Sequence, residues 1–273
     1  MICFPNAKIN LGLNIVSKRP DGYHNLETIF YPIDIKDALE IIVRGDLSKD
    51  IFTESGINVD AAPENNLVMK ALKLMRTTYQ FPHIEVHLLK KIPFGAGIGG
   101  GSADAAFMLK LINNTFALGA TSKELASLAV QLGADCPFFI YNHPVFASGV
   151  GEVFEEIGLS LKEYYFVLIK PDIHVSTKDA FSEIKPAQPE MCLKEIIKRP
   201  IEDWKVLMIN DFEKSVFIKY PQIKEIKESL YARGAEYASM TGSGSSVFGI
   251  FKEEVKGIEG VYPDCFIWQG KGL

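Results

Sequence analysis

No stretch of this sequence approaches the ~18 consecutive apolar residues that cross a bilayer. The opening MICFPNAKINLG has no basic segment ahead of an apolar one, so neither a membrane helix nor a secretory leader is expected, and the protein is expected in the cytoplasm. Positive charge is also short: 29 Lys and Arg face 34 Asp and Glu, a formal charge of −5 with a pI near 5.6. The broad basic footprint of a nucleic-acid binder is missing, and any anion site must be local. Cysteine is scarce. Cys3, Cys136, Cys192 and Cys265 lie dozens of residues apart, which excludes a zinc knuckle or a CxxC redox pair and leaves buried or half-buried thiols. Repeats and low-complexity tracts are absent. What remains is the composition of a globular protein, 47% hydrophobic and 23% charged over 273 residues, enough for one large or two modest domains.

The segment HIEVH offers a metal decoy, since His83 and His87 would face one ion on a helix. Ile84, Val86 and Leu88 instead alternate with His83, Glu85 and His87. That is strand periodicity, and four rises separate the rings by roughly 13 Å. A half-buried strand therefore runs into KKIPFGAGIGGGS.

Upstream, Ile9, Leu11, Leu13 and Ile15 alternate with Lys8, Asn10, Gly12 and Asn14, so Lys8 and Asn10 are neighbours on one polar strand face. A turn at Pro20, Asp21 and Gly22 leads into LETIFYPIDI, giving paired strands joined by a loop that carries Tyr23 and His24. Asn66 can cap a helix through NLVMKALKLMRTTY, and ADAAFMLKLINN is a helix beginning near Ser102. Thr121 and Glu124 form a capping box for a further helix that Gly133 ends. The pattern restarts near Gly158 with the strand YYFVLIKP and a helix opened by Ser176 and Asp179. A helix from about Gln222 to Arg233 closed by Gly234, then AEYASM, the loop TGSGSS and the strand VFGIF complete the chain. Without a regular βα rhythm, the pattern predicts two α+β domains, residues 1–158 and 159–273.

Gly95, Gly97 and Gly100 match G-x-G-x-x-G between a strand and a helix, but no acid lies between Asp104 and Glu124 to hold a ribose, which disfavours a dinucleotide fold. A Walker loop fails too, because Gly101 stands where its lysine belongs. Five glycines between positions 95 and 101 still let the backbone approach a ligand, ahead of a helix start with open N–H groups. A phosphate cradle is the reading preferred over a flexible turn, which needs only one or two glycines. A triphosphate held this way needs a cation and a group to receive the acceptor's proton. Lys8 and Asp135 in GADCPFF are the candidates; taken singly, each also reads as a solvated surface charge or a loop acid.

Five segments, PNAKINLGLNI, RPDGYHNLETIF, PFGAGIGGGSADAA, GADCPFF and TGSGSSVFG, together resemble the small-molecule kinases typified by galactokinase, homoserine, mevalonate and phosphomevalonate kinases. The Lys8 strand, the DGYH loop and GADCPFF narrow the resemblance to the branch whose acceptor is 4-diphosphocytidyl-2-C-methyl-D-erythritol in non-mevalonate isoprenoid synthesis. The resemblance implies a two-domain α+β kinase fold. Residues 1–158 would bind ATP, and residues 159–273, an α/β sandwich, would complete the acceptor site in the cleft between domains. It implies ATP and Mg²⁺, small-molecule partners, and transfer of the γ-phosphoryl group to the acceptor's 2-hydroxyl. No nucleic acid or membrane partner is expected, and a monomer or weak homodimer is. Another kinase of the superfamily, or its ATP-dependent decarboxylase branch, is the alternative.

Carried over by this resemblance, Asp135 takes the proton from the 2-hydroxyl, while Lys8 keeps that carboxylate ionised and steadies the migrating phosphoryl group. Pro93, Phe94, Gly95, Ala96, Gly97, Ile98, Gly99, Gly100, Gly101, Ser102 and Ala103 wrap the ATP phosphates, and Asn66 contacts adenine. Tyr23 stacks on the cytosine and His24 reads its edge, helped by Asn10. Phe181 supplies a second stacking ring and Thr177 a polar contact. Tyr23 and His24 also suit a plain turn, and Phe181 a helix core. Many relatives carry a second serine where Ala103 stands, which leaves Ser102 as the hydroxyl at the helix start that can approach phosphate or Mg²⁺. Asp104 is expected to complement the helix dipole rather than approach the metal through water. Thr241, Gly242, Ser243 and Gly244 resemble the glycine loop that closes near the phosphates, though a small-residue hairpin turn has the same composition.

Overall fold

Period-two apolar sequence and capped period-3.6 sequence sort into the expected strands and helices. The computed structural model describes residues 1–57 and 63–273 and divides the chain into two units. Unit 1 comprises residues 1–7, 35–94 and 99–143; unit 2 comprises 8–34, 95–98 and 144–273. Unit 2 thus takes an early hairpin and part of the glycine tract as well as the C-terminal residues.

In unit 1 the strands β1 (Ile2–Cys3), β4 (Ala38–Val43), β6 (Ile84–Lys90) and β5 (Ile51–Gly56) form a sheet in the order β1-β4-β6-β5. Strand β6 is the HIEVH strand, and Ile84, Val86 and Leu88 are buried on its inner face as the alternation requires. His83 instead meets Asp50 at 3.3 Å, and His87 meets Glu85 at 3.2 Å. Helix α1 (Leu67–Thr78) packs on α2 (Gly100–Thr115), which also contacts α3 (Ser122–Val130) and α4 (Cys136–Tyr141). The capping box of Thr121 and Glu124 on α3 is present in both directions. Helix α2 begins at Gly100, two residues before the expected start, because a glycine in the left-handed region, Gly99 at φ +72°, caps it.

Unit 2 holds two further sheets, β2-β3-β7-β8 and β10-β11-β9-β12. Strands β2 (Asn6–Lys18) and β3 (His24–Lys36) are the expected hairpin, whose outermost residues fall in unit 1. Strands β7 (Val145–Ser148) and β8 (Val153–Glu156) extend it. In the other sheet β9 (Tyr165–Lys170) lies between β11 (Val247–Phe251) and β12 (Phe266–Lys271), with β10 (Tyr237–Met240) at the edge. Helices α5 (Thr177–Phe181), α6 (Leu193–Ile196), α7 (Ile201–Leu207), α8 (Glu213–Lys219) and α9 (Pro221–Ala232) complete the unit. Its core joins Leu13 and Ile15 to Val167, Ile169, Val216, Ile226, Leu230 and Val247.

The polar face of β2 is packed rather than solvated, so the surface-charge alternative for Lys8 does not describe it: Lys8, Asn10 and Asn14 are buried along with Ile9 and Leu11. The cause is close packing behind the strand. Gly12 adopts φ +66°, and a Cβ there would lie 2.7 Å from both Leu193 Cδ2 and Met208 Cγ. Leu13 N donates to Ile209 O (2.8 Å), and Asp211 N donates to Leu13 O (2.8 Å), so backbone seals the edge.

Candidate active site

In unit 2 the buried face of β2 builds a polar network. Lys8 Nζ donates to Asn10 Oδ1 at 2.7 Å and lies 4.5 Å from the centre of the Phe30 ring. Asn10 Nδ2 donates to Thr28 Oγ1 (2.9 Å), and that hydroxyl donates to Gly12 O (2.6 Å). Asn10 N donates to Thr241 Oγ1 (3.0 Å), bringing the loop between β10 and β11 onto the strand. A cation buried in this way against an amide oxygen and a ring face acts strongly on an incoming anion.

The same loop meets the first half of the glycine tract. Lys8 N donates to Ile98 O at 3.0 Å, and Thr241 Oγ1 donates to Gly97 O at 3.3 Å. A Cβ on Gly97 would sit 2.5 Å from Thr241 O, so Gly97, at φ +73°, is the residue that permits this approach. Asn210 Nδ2 donates to Met240 O and Gly242 O, both at 2.8 Å, holding the loop from below. Thr241 is fully buried, Gly244 is buried, and Gly242 and Ser243 are half-buried. His174 lies over Gly95, its Nδ1 3.5 Å from where a Cβ would stand. Periodicity does not single out His174, Asn210 or Thr28, because each reaches the site through a tertiary contact.

Around the DGYH loop, Tyr23 N donates to Asp21 Oδ1 (3.0 Å), and the Tyr23 ring is 66% exposed, which leaves its face open. It is His24, not Tyr23, that lies on Phe181, with ring centres 4.8 Å apart and 27° between planes; Phe212 meets Phe181 edge-on. Phe181 is half-buried against the core and exposed Thr177 opens α5, which Ser176 caps by accepting from Asp179 N (3.1 Å). Hydrogen bonds from Lys219, Ser176 and Tyr220 hold the Asp179 carboxyl down at about 2.

In unit 1, α2 starts with Gly100, Gly101 and Ser102, whose N–H groups precede the first i→i−4 bond, Ala103 N to Gly99 O at 2.9 Å. A Cβ on Gly101 would lie 3.5 Å from Leu67 Cδ1, so the first turn of α1 adjoins that of α2. Asn66 caps α1, accepting from Val68 N and donating to Glu54 Oε2, each at 2.9 Å. Pro93 is half-buried and Phe94 is 70% exposed, while Ala96, Ile98 and Ala103 are buried. Asp135 precedes α4 and is half-buried, and its side chain makes no capping bond to the helix. The Ser102 hydroxyl engages Cys136, whose thiol burial pushes up to about 11.

Asp104 departs from expectation. Expected to complement the dipole of α2, it lies past the first turn of that helix and is a buried member of an ion cluster with Lys90 and Asp37. Burial pushes its carboxyl up to about 7 against the pull of Lys90.

The family described as GHMP kinases N terminal domain matches residues 66–143, and GHMP kinases C terminal matches residues 192–260. A protein of Parabacteroides distasonis named 4-diphosphocytidyl-2-C-methyl-D-erythritol kinase is 59% identical over 99% of both chains. The chain belongs to the 4-diphosphocytidyl-2-C-methyl-D-erythritol kinase family of GHMP kinases. A member from Porphyromonas gingivalis is 49% identical over 98% of both chains. A crystal structure of a 4-(cytidine 5'-diphospho)-2C-methyl-D-erythritol kinase superposes with a TM-score of 0.85 at 29% identity, covering 100% of both chains. Mevalonate kinase of Methanococcus jannaschii shares the GHMP kinase fold, with a TM-score of 0.75 at 17% identity over 100% of this chain and 98% of that one. The α+β kinase fold is thereby established, and no helix among the described residues is long and apolar enough to cross a membrane.

Proposed function

We propose that the protein transfers the γ-phosphoryl group of ATP to the 2-hydroxyl of 4-diphosphocytidyl-2-C-methyl-D-erythritol, giving the 2-phosphate and ADP in the cytoplasm. The observation that supports the site assignment is the buried Lys8–Asn10–Thr241 network, whose backbone and hydroxyl bonds reach Ile98 and Gly97 of the glycine tract. Near-full-length identity to named family members supports the substrate.

In this reading the backbone from Pro93 to Ala103 binds the phosphates, using the N–H groups of Gly100, Gly101 and Ser102 and the dipole of α2. Asn66 lies toward the adenine. Asp135 accepts the 2-hydroxyl proton, and Lys8 stabilises the charge on the moving phosphoryl group. Tyr23 offers its open face to the cytosine, His24, braced by Phe181, presents a ring nitrogen to the base edge, and Asn10 and Thr177 add polar contacts. The hydroxyl of Ser102 in the first turn of α2 suits a hard cation that keeps most ligands as water and phosphate oxygens. Mg²⁺ bound there with ATP would neutralise charge between the β- and γ-phosphates. Functionally, residues 1–158 serve chiefly the nucleotide, and 159–273 complete the acceptor site.

Incubation with ATP, Mg²⁺ and the cytidyl acceptor is expected to release ADP with formation of the 2-phosphate. Turnover of homoserine or mevalonate in its place would overturn the substrate, and carbon dioxide release from a diphosphate acid would overturn the reaction class.

A further inference from the structure

The buried Asp37–Lys90–Asp104 cluster has no role in the mechanism above, yet it bonds to both ends of the glycine tract. All three residues belong to unit 1 and are at most 5% exposed. Lys90 is the last residue of β6, just before the tract, and Asp104 is the fifth residue of α2, just after it. Lys90 Nζ donates to Asp104 Oδ2 at 2.7 Å and also to Asp37 Oδ2. Asp37, between β3 and β4, accepts from Lys91 N (2.5 Å) and Ile92 N (2.8 Å) through Oδ1. Gly100 seats α2 on this base: a Cβ there would lie 2.6 Å from Ile92 Cγ2 and 3.6 Å from Lys90 Nζ.

Three buried charges are a costly way to gain stability, since well-packed apolar side chains of similar volume are often as good or better. Asp104 Oδ1 is buried with no hydrogen-bond partner among the described residues. Geometry explains the cluster better. Between its anchor points lie Gly95, Gly97 and Gly99, all at positive φ, a backbone that loses much freedom when ordered. A loop whose N–H groups must meet phosphates either is ordered beforehand or gives up affinity and rate when it orders on binding.

We infer that Asp37, Lys90 and Asp104 are positioning residues that hold the entry and exit of the glycine tract at the spacing needed to receive nucleotide phosphates. The inference rests on the proposed ATP-binding reading. It is tested with D104N, which keeps shape and removes charge, and D104L, which replaces the carboxylate by a bulkier apolar group on the same branched skeleton. Each full-length variant is assayed for ATP and acceptor kinetics and for amide hydrogen exchange of residues 93–104 without ligand. Expected are a KM for ATP raised at least tenfold, an acceptor KM within twofold of the parent, and faster exchange of the tract while exchange in β9 and β11 is unchanged. Wild-type ATP KM and wild-type tract exchange in both variants would overturn the inference, whatever their melting temperatures. Were the parent itself to bind no ATP, the functional reading would fall, and the exchange comparison would still decide the positioning role.

Discussion

Replacing Gly97 by alanine tests the contact between the glycine tract and the β10–β11 loop. Gly97 has φ +73°, and a Cβ would stand 2.5 Å from Thr241 O and 3.0 Å from Gly244 O. Holding an alanine in the left-handed region costs about 1–2 kcal/mol. A carbon to oxygen contact relaxes at about 3.3 Å, so the Thr241 carbonyl must retreat by about 0.8 Å. That carbonyl accepts from Gly244 N at 3.0 Å, so its retreat loosens the whole hairpin loop. Forced overpacking of this kind costs about 1–3 kcal/mol. Gly119 is the matched control, with φ +76° and nothing within 4 Å of its Cβ position, and it incurs only the first cost. Urea unfolding of G97A and G119A is therefore expected to differ by about 1–3 kcal/mol, with G97A the weaker. G97A alone is also expected to raise the KM for ATP. Midpoints that coincide, with ATP kinetics equal in the two variants, would refute the argument that close backbone approach makes this glycine necessary.

The chemical roles give three further outcomes. D135N is expected to lower kcat by at least ~10²-fold with little change in ATP binding, because a proton acceptor matters most during the chemical step; an active Asn variant would remove Asp135 from the mechanism. Y23A is expected to weaken acceptor binding by ~1–3 kcal/mol, the range of lost base stacking, read as KM for the acceptor at saturating ATP; an unchanged value would return Tyr23 to the turn. Cys136 begins α4, where a helix terminus alone would lower a thiol, yet burial wins and pushes it up to about 11, and burial pushes Cys3 up to about 12. At pH 8 fewer than about one in a thousand Cys136 thiols are then ionised. A disulfide reagent is expected to leave both cysteines unmodified until denaturant is added, with labelling accelerating as pH rises toward 11; rapid labelling of Cys136 at pH 8 would contradict this.

Local pattern carried much of the architecture. The alternation in HIEVH placed β6, the Thr121 and Glu124 pair placed the start of α3, and Asn66 and Ser176 cap α1 and α5 as their positions suggest. These features depend on neighbours within a few residues, where φ/ψ preference and side-chain reach decide the outcome. The candidate phosphate loop and its companions were legible for a similar reason, since a glycine tract, a lysine on an alternating strand and a DGYH turn are contiguous words in the chain. Short elements such as β7, β8, α6 and α7 leave too little periodic sequence to read.

What the sequence by itself determined, then, is the identity of the segments and the family to which they belong. What only the tertiary structure decided is which side chains lose their water. Alternation could place Lys8 on a polar face but not reveal that Leu193, Met208 and the backbone of residues 209–211 bury that face. Nor could it show that Lys90 meets both Asp104 and Asp37, or that His24 lies on Phe181. Burial and ion pairing arise between residues tens to hundreds of positions apart. The dielectric and the partners that set a charge's chemistry are properties of the packed chain and are written in no local stretch of it.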